Sequence, residues 1–552
     1  MIYPKIPLAQ SIIEICLARS IQHIVISPGS RNAPLTIGFV NNPNFTSYSI
    51  ADERCAAFFA TGMAQQLKKP VAVVCTSGSA LLNYYPAVAE AFYSQIPLVV
   101  ISADRPHDKI DIGDGQTIRQ ENVYANHILY SANLLEETSA ENDRKINEAI
   151  STAIHGKGPV HINAPFEEPL YETVTELSVQ AGVFDTVVAD PSIVEDLQPY
   201  ANLWNHSARK LVLVGVAEPG SIDQSVIDYL AADPSVVVMT ETTSNLHHPS
   251  FLNSIDTIIT PFTTKDFDTW RPEILLTFGG MVVSKRVKAW LRKYKPEHHW
   301  HVDKLRAYDT FGALTKHFET DANKFLLQLK QQTSPVSSGY SVMAEEMQAY
   351  RKMKHDEYLA SIPFSDFKAF EIILPKLNDG SQLQISNSSP IRYAQLFDIK
   401  PSVEVFCNRG TSGIDGSTST AIGAAVASGK QVTLITGDIS FLYDSNALWN
   451  NYIPKNFKII LINNAGGGIF RILPGHDESP VFNTFFETTH NLTADHLAKM
   501  YGFDYVTARD EEELAGGLQQ IMANDSAPQL LEVFTPMREN DKILLQYFKA
   551  LA

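Results

Sequence analysis

The sequence has few cysteines, and none of them lies in a C-x-x-C motif. The four residues Cys16, Cys55, Cys75 and Cys407 are widely separated along the 552-residue chain, and all but Cys55 lie in apolar stretches. Isolated cysteines in such stretches usually behave as small core residues. We therefore expect buried, reduced thiols, which are typical of proteins in a reducing compartment.

Long apolar runs and positive charge are also scarce. No stretch approaches the ~20 apolar residues that a membrane-spanning helix requires, and Gln10, Glu14 and Arg19 interrupt the apolar segment that a secretory signal would need. The 44 Lys and Arg residues against 61 Asp and Glu residues give a net charge of −17, which suits nonspecific nucleic-acid binding poorly. These absences predict a cytoplasmic protein with no nucleic-acid partner and no stable membrane insertion.

Several α/β domains are predicted from the length and from the pattern of apolar residues. The chain is too long for one hydrophobic core, since domains average roughly 150 residues. Short, β-branched apolar runs alternate with helix-like segments, including 53–67 and 81–93, as in parallel α/β sheets. The predicted strands are 23–27, 71–76, 98–103, 160–163, 210–216, 235–239, 273–278, 299–302, 383–386, 403–407, 432–436, 458–462 and 530–534.

A polar segment at 331–341, rich in Ser, Pro and Gly, precedes a highly charged helical stretch at 343–359. Such a composition is typical of a linker followed by a connecting helix. The simplest organisation is three α/β domains in series. No short repeat is visible, so a solenoid is not expected.

The most informative segment lies between Val432 and Phe470. One apolar strand ends in Gly437-Asp438, and a second, one β-α-β crossover later, ends in Asn463-Asn464. Parallel strands joined by a crossover can be neighbours, so both ends would lie at the same edge of a sheet. A carboxylate, an amide and a glycine-rich backbone at that edge suit Mg²⁺ and phosphate oxygens. The alternative is a capping aspartate followed by an unrelated turn.

This pattern resembles the signature of the thiamine-diphosphate enzyme family. The resemblance implies three doubly wound parallel-sheet domains: an N-terminal pyrimidine-binding domain at 1–180, a central domain at 181–340 and a C-terminal diphosphate-binding domain at 341–552. It also implies that Asp438, Asn464 and the carbonyl of Gly466 hold the Mg²⁺ or Mn²⁺ that grips the diphosphate. This chain has Ile439 where the family usually has a second glycine.

The resemblance also implies a catalytic glutamate and an oligomer. Glu53 starts a predicted helix, where a glutamate is ordinarily only a favourable partner of the helix dipole. In the family, such a glutamate acts on the aminopyrimidine of the cofactor, and the N-terminal domain of one subunit pairs with the C-terminal domain of another. A homodimer or homotetramer with shared active sites is therefore expected.

Several motifs are similar, more specifically, to those of the 2-succinyl-5-enolpyruvyl-6-hydroxy-3-cyclohexene-1-carboxylate synthases of menaquinone biosynthesis. The combination of NRGTSGIDG at 408–416 with GDISFLYD at 437–444 is the most specific of them. The other motifs lie, in the expected order, at 27–36, 52–54, 102–106, 116, 283–286, 387–392 and 463–474. The implied reaction is decarboxylation of 2-oxoglutarate and conjugate addition of the four-carbon fragment to isochorismate, a carbon–carbon bond-forming transfer.

The two substrates together carry four carboxylates, which calls for cationic and polar residues beside strand ends and loops. By resemblance, the substrate-binding residues are Ser30, Arg31, Arg105, Gln116, Lys285, Arg286 and Arg392, with Arg392 on the oxoglutarate side. The cofactor-binding residues are Ser388, Arg409, Ile414, Gly437, Asp438, Ile439, Ser440, Asn464, Ile469 and Phe470. Ser388 and Arg409 would also lie near the oxoglutarate side. The loop at 471–489, which follows the Gly466–Gly468 run and contains Pro474-Gly475, is a candidate for closure over the substrates.

Three alternative interpretations remain open at the level of the sequence. An acetohydroxyacid synthase or 2-oxoacid decarboxylase relative would account for Glu53 and the Gly-Asp and Asn-Asn pairs, but not for NRGTSGIDG. A nucleotide-binding dehydrogenase would need a G-x-G-x-x-G motif after its first strand, and SPGSRN does not provide one. A binding module without activity would have no need of Glu53, Asp438 and Asn464 together. The histidines at 247–248 and 298–301 form no clear ligand set.

Overall fold

The computed structural model describes residues 1–184, 196–473, 475 and 478–552. Within these ranges the chain forms three parallel sheets of six, five and six strands, together with one two-stranded ribbon. Strand residues alternate between two hydrophobic clusters, one on each face of a sheet, so helices cover both faces. The predicted fold class, three α/β domains with parallel sheets, is confirmed.

The N-terminal part contains one main sheet and an antiparallel ribbon. Its strands are β1 (Tyr3–Pro4), β2 (His23–Ile26), β3 (Thr46–Ser49), β4 (Val71–Cys75), β5 (Leu98–Asp104), β6 (Tyr130–Asn133), β7 (Val160–Pro165) and β8 (Thr173–Val174). Its helices are α1 (Pro7–Ala18), α2 (Ala33–Val40), α3 (Glu53–Leu67), α4 (Ser79–Asn83), α5 (Tyr85–Ser94) and α6 (Ala140–Gly156). The main sheet has the order β3-β2-β4-β5-β7-β6, and β1 pairs with β8.

The middle part has a five-stranded sheet in the order β10-β9-β11-β12-β13. Its strands are β9 (Lys210–Val214), β10 (Val236–Met239), β11 (Ile274–Phe278), β12 (His298–Val302) and β13 (Leu314–Phe318). Its helices are α7 (Gln198–His206), α8 (Gln224–Ala232), α9 (Ile255–Ile259), α10 (Thr264–Trp270), α11 (Lys285–Lys293) and α12 (Ala322–Lys330).

The C-terminal part begins with a long connecting helix. Its helices are α13 (Tyr340–Leu359), α14 (Asp366–Ile373), α15 (Ser389–Ala394), α16 (Ser417–Ser428), α17 (Asp438–Tyr443), α18 (Pro480–Phe485), α19 (Asp495–Met500), α20 (Glu511–Ala523) and α21 (Asn540–Ala550). Its strands are β14 (Gln382–Ile385), β15 (Glu404–Phe406), β16 (Val432–Gly437), β17 (Lys458–Asn463), β18 (Asp504–Ala508) and β19 (Gln529–Phe534), in the order β15-β14-β16-β17-β19-β18.

The N-terminal and C-terminal sheets have the same topology. When the main-sheet strands are numbered along the chain, both sheets have the order 2-1-3-4-6-5. A single hydrophobic cluster contains residues of both sheets, including Val73 and Leu434, and joins them through α3 and α16. The two helices approach so closely that a Cβ on Gly62 would overlap the carbonyl oxygen of Thr420, and one on Gly423 would overlap that of Phe59.

Most predicted elements are present, and the differences have physical causes. The predicted helix at 81–93 is divided into α4 and α5 at Tyr84, because Pro86 has no N–H to donate within a continuous helix. The unpredicted strands β3, β6, β13 and β18 all lie at sheet edges. These four edge strands are partly exposed, and their sequences lack the apolar runs that mark interior strands.

The predicted cysteine environment is confirmed. All four cysteines lie within the described residues, and each is buried and free of any disulfide. Burial raises the pKa of the Cys16 thiol to about 12, which keeps it protonated. Among the helices that the structure describes, none combines the length and apolar character needed to cross a membrane.

The close approach of α3 and α16 predicts that neither glycine tolerates a side chain. We expect Gly62→Ala and Gly423→Ala each to lower the free energy of unfolding by about 1–3 kcal/mol, because the added methyl group overpacks the helix interface. Gly516→Ala in α20 is the matched control, since a Cβ there meets open space, and alanine favours a helix by up to about 1 kcal/mol. Thermal unfolding of the three variants measures the difference; an unchanged Tm for both interface variants would contradict the interpretation.

Candidate active site

The Gly-Asp and Asn-Asn pairs lie next to each other at the carboxyl edge of the C-terminal sheet. Strands β16 and β17 are parallel neighbours, with Gly437 opposite Ile462, as the crossover spacing predicts. Asp438 begins α17, and Asn464 directly follows β17. The Asp438 carboxylate accepts a hydrogen bond from the amide of Gly466 at 2.9 Å, so these three residues share one site.

A buried aspartate fixes the orientation of the Asn464 amide. Asn464 Nδ2 donates to Asp366 Oδ2 at 2.9 Å, and Thr535 Oγ1 donates to the other oxygen at 2.5 Å. Burial raises the pKa of Asp366 to about 6. Because the ionised carboxylate only accepts hydrogen bonds, it holds the NH₂ group of Asn464 and leaves the amide oxygen for another ligand.

The donor atoms at this edge fit a hard divalent cation. One carboxylate, one amide oxygen and the backbone carbonyl of Gly466 form an oxygen-only set of the kind that Mg²⁺ and Mn²⁺ accept. Among the described residues, no cluster of three or more His, Cys, Asp or Glu side chains is arranged to hold a metal. His490 Nε2 lies 3.3 Å from Asp438 Oδ2, and the Asp438 carboxylate raises the pKa of this histidine.

The loop at 408–416 lies over the same edge and is held at several points. Asn387 Nδ2 donates to the carbonyls of Asn408 and Gly413, both at 2.7 Å, and its Oδ1 accepts from Arg409 at 2.6 Å. Ser440 Oγ donates to the carbonyl of Ile414 at 2.6 Å. The predicted residues Arg409, Ile414 and Ser440 therefore belong to one hydrogen-bonded unit.

Ser388 has a backbone conformation that is unusual for a residue with a side chain. Its φ of +72° lies in the left-handed region, at the residue before α15. Such conformations cost of order 1–3 kcal/mol and cluster at functional sites. The strained residue stands beside Asn387, the centre of the loop contacts.

Cationic residues of the middle and C-terminal parts lie near Asp256 and Arg409. Lys285 and Arg286 begin α11, and Arg392 lies on α15. Burial lowers the pKa of Arg392; the nearby Asp256 raises it, and the like charge of Arg409 lowers it. The Nε atoms of Arg392 and Arg409 are buried and have no hydrogen-bond partner among the described residues. Buried guanidinium groups with open donors are suited to carboxylate ligands.

Glu241 holds the segment that leads into α11. It is buried, and its two oxygens accept from the amides of Val283 at 2.6 Å and Ser284 at 2.7 Å. Burial raises the pKa of Glu241 to about 7, and Asp256 contributes in the same direction. Arg286, just beyond this segment, lies 4.7 Å above the ring of Phe548.

A second group of predicted substrate residues lies at the carboxyl edge of the N-terminal sheet. Arg31 donates to the carbonyl of Phe166 at 3.0 Å and to Glu168 at 3.1 Å, while Arg105 donates to the carbonyl of Gly115 at 3.0 Å. Burial lowers the pKa of Arg31, and the charge of Arg105 lowers it further. Gln116 adopts a φ of +55° in the same loop, and Ser30 is exposed beside Arg31.

Glu53 lies in the N-terminal part of the chain, whereas Asp438 lies in the C-terminal part. It is the first residue of α3, after Asp52, whose side chain caps the helix by accepting from the amide of Cys55 at 3.2 Å. Its own Oε2 accepts from Asn83 at 3.3 Å. Within the described ranges, no hydrogen bond or ion pair joins Glu53 to Asp438 or Asn464.

The segment after Gly466 is organised by a buried ion pair. Arg471 pairs with Glu487 through two contacts of 2.5 and 2.6 Å, and both side chains are almost fully buried. Phe470 packs against Phe486, and Ile469 precedes it in the same turn. In the predicted closing loop at 471–489, positions 474, 476 and 477 lie outside the described residues.

Sequence reasoning did not identify Asp366, Glu241, His490 or Glu90 as residues that support the site. An aspartate at a helix start and a histidine in a loop are common, and neither gives a local signal. Glu90 did offer one: it is the single charged residue of the otherwise uncharged helix YPAVAEAFYS.

Comparison with known proteins shows the class of protein to which the chain belongs. The chain matches three family profiles: the thiamine pyrophosphate enzyme N-terminal TPP-binding domain over 6–126, the middle domain over 200–358 and the C-terminal TPP-binding domain over 388–533. The fold and the matched domains define a thiamine pyrophosphate enzyme.

Curated relatives narrow the class further. Proteins named 2-succinyl-5-enolpyruvyl-6-hydroxy-3-cyclohexene-1-carboxylate synthase are 68% identical in Flavobacterium psychrophilum, over 100% of both chains, and 54% identical in Christiangramia forsetii, over 99% of both. The protein of that name from Bacteroides thetaiotaomicron is 37% identical over 97% of both chains. The chain belongs to this synthase family.

The buried Glu241 carboxyl predicts a pH-dependent stability. Its folded-state pKa, about 7, lies above the value near 4.5 of an unfolded chain, so its contribution is fully present below about pH 4.5 and is lost as the pH rises through 7. We expect the free-energy advantage of the wild type over Glu241→Gln to fall by about 2 kcal/mol between about pH 5 and pH 7.5. Denaturant unfolding of both proteins measures it, with the exposed Glu297→Gln as control. An equal difference at the two pH values would refute the assignment.

Proposed function

We propose that the chain is a 2-succinyl-5-enolpyruvyl-6-hydroxy-3-cyclohexene-1-carboxylate synthase, which acts on 2-oxoglutarate and isochorismate in menaquinone biosynthesis. The observation that carries the proposal is full-length identity of up to 68% to synthases of that name. The positions of Arg286 and Arg392 near Asp256, and of Arg409 near Arg392, support it, because both substrates are dicarboxylates.

Asp438, Asn464 and the Gly466 carbonyl are the proposed ligands of Mg²⁺ or Mn²⁺ at the diphosphate end of thiamine diphosphate. When bound, the cofactor supplies the electron sink for loss of CO₂ from a 2-oxoacid. Gly437, Ile439 and Ser440 surround the start of α17, where backbone N–H groups favour phosphate oxygens. Ile414, Ile469 and Phe470 are the proposed apolar contacts of the cofactor, and Ser388, at the residue before α15, is a further proposed contact.

The remaining residues hold protons and orient carboxylates. Glu53 is the proposed acid, which holds a proton against the ring nitrogen of the aminopyrimidine. Arg392 and Arg409 would bind the oxoglutarate side, while Ser30, Arg31, Arg105, Gln116, Lys285 and Arg286 would bind isochorismate. With Glu53 as the principal proton-transfer group, much of the rate enhancement would come from positioning and electrostatics.

We propose a homodimer or homotetramer with shared sites, as the family resemblance implies; among the described residues of one chain, no hydrogen bond or ion pair joins Glu53 to Asp438. In such an assembly, Glu53 of the partner subunit would complete the site that Asp438 and Asn464 begin. The four buried free thiols support the cytoplasm as the proposed location.

Turnover of the two substrates tests the function. With thiamine diphosphate and Mg²⁺, we expect CO₂ release from 2-oxoglutarate to require isochorismate, and Glu53→Gln to lower the rate by about 10²–10⁴-fold through loss of the proton. Glu148→Gln, on α6 of the same domain, is the matched control. Activity on pyruvate instead of 2-oxoglutarate would favour an acetohydroxyacid synthase or decarboxylase relative.

The contact between Asp366 and Asn464 tests the metal site. Asp366→Asn replaces an oxygen acceptor with an amide, so Asn464 loses its fixed orientation. We expect a 10- to 100-fold rise in the Mg²⁺ concentration that half-saturates cofactor binding, measured by calorimetry. Asp504→Asn, at the opposite edge of the same sheet, should leave this concentration unchanged. An unaltered value in Asp366→Asn would remove Asn464 from the proposed ligands.

A further inference from the structure

A buried carboxylate of the N-terminal part holds the loop at 408–416. Glu90 lies on α5 and is 1% exposed. Its Oε1 accepts from the amide of Gly410 at 2.7 Å, and its Oε2 accepts from the amide and hydroxyl of Thr411 at 2.7 and 2.8 Å. Ser94 Oγ, also on α5, donates to Oε1 at 2.7 Å.

The charge of Glu90 is compensated by the loop rather than by a cation. Across the described residues, no lysine, arginine or histidine forms an ion pair with it. A buried carboxylate is costly unless hydrogen bonds satisfy it, and three of its four donors belong to Gly410 and Thr411. Hydrogen bonds to an ionised acceptor are about twice as strong as neutral ones, so the carboxylate is a firm anchor for the loop.

Gly410 allows the 408–416 loop to contact α5. A Cβ at this position would lie 2.5 Å from the carbonyl oxygen of Glu90, so a side chain would push the loop away from α5. Arg409 precedes Gly410, and its guanidinium donates to Asn387. The loop is thus fixed from the C-terminal part by Asn387 and from the N-terminal part by Glu90.

We propose that Glu90 is a positioning residue that, across the domain boundary, sets the direction in which Arg409 meets a substrate carboxylate. The inference rests on the proposed function, in which Arg409 faces the oxoglutarate side. Glu90 itself contacts neither substrate nor cofactor; it acts through the backbone of Gly410 and Thr411. A displacement of the loop by about 1 Å is enough to cost on the order of 10²-fold in rate.

Glu90→Gln is the direct test, because it keeps the size of the side chain and turns one acceptor oxygen into a donor that faces another N–H group. We expect the KM for 2-oxoglutarate to rise roughly tenfold or more while the KM for isochorismate stays within about twofold. Thr411→Val, which removes only the hydroxyl donor, should raise the same KM by a smaller factor. Glu148→Gln is the matched control, since it removes a hydrogen-bonded carboxylate of the same domain away from the loop.

Limited trypsin digestion supplies a readout that needs no turnover. Release of the loop should speed cleavage after Arg409 in Glu90→Gln and in Gly410→Ala, but not in Glu148→Gln. Gly410→Ala keeps the Glu90 carboxylate and so carries the test if Glu90→Gln does not fold. Unchanged cleavage together with unaltered KM values for both substrates would overturn the proposal. If the wild type shows no synthase reaction but both variants are still cleaved faster after Arg409, the proposed function is overturned and the contact between Glu90 and the 408–416 loop stands.

Discussion

The backbone contact between α3 and α16 is the constraint on which the rest of the molecule depends. Gly62 and Gly423 let two helices from distant parts of the chain touch without intervening side chains, and this merges the interiors of two sheets into one core. The same approach brings polar groups of the N-terminal and C-terminal parts into contact. Arg54 donates to the carbonyl of Tyr443, and Asn446 donates to Asp52. The Glu90 contact with the 408–416 loop requires the same fixed spacing.

Interior strands could be predicted from the sequence because a strand covered on both faces has to be apolar throughout. The run KIILI at 458–462 is such a strand, and the structure extends it by one residue. Edge strands such as DYVTA at 504–508 have one free side and a mixed composition, so tertiary pairing decides their structure. The pairing of Asp438 with Asn464 was predictable because a crossover has a characteristic length. The contacts of Asp366 and Glu90 were not, because each joins residues far apart in the chain. The single charge in α5 marks Glu90 as unusual, but it does not identify the partner of Glu90.

The chain is acidic overall, yet arginines lie at the carboxyl edges of its N-terminal and C-terminal sheets. Buried carboxylates hold several backbone segments of the same molecule. Glu241, Asp366 and Asp444 are all buried with raised pKa values, about 7, 6 and 6. Each accepts hydrogen bonds that hold a particular segment in place, as Asp444 does for the amide of Ser419 at 2.8 Å. Through these hydrogen bonds, the buried carboxylates fix the backbone segments that carry them and their partners. The net charge of −17 therefore says little about the electrostatics of the site itself.

Among the described residues of one chain, no hydrogen bond or ion pair joins Glu53 to the Asp438–Asn464 pair, and a shared site would have a genetic corollary. If each active site takes Glu53 from one subunit and the metal ligands Asp438 and Asn464 from another, substitutions at Glu53 and at Asp438 affect different halves of the site. A subunit defective only in Glu53 and a subunit defective only in Asp438 then rebuild one intact centre when they co-assemble. Two separately inactive alleles of this gene would complement each other in a cell, whereas two alleles damaged at the same position would not.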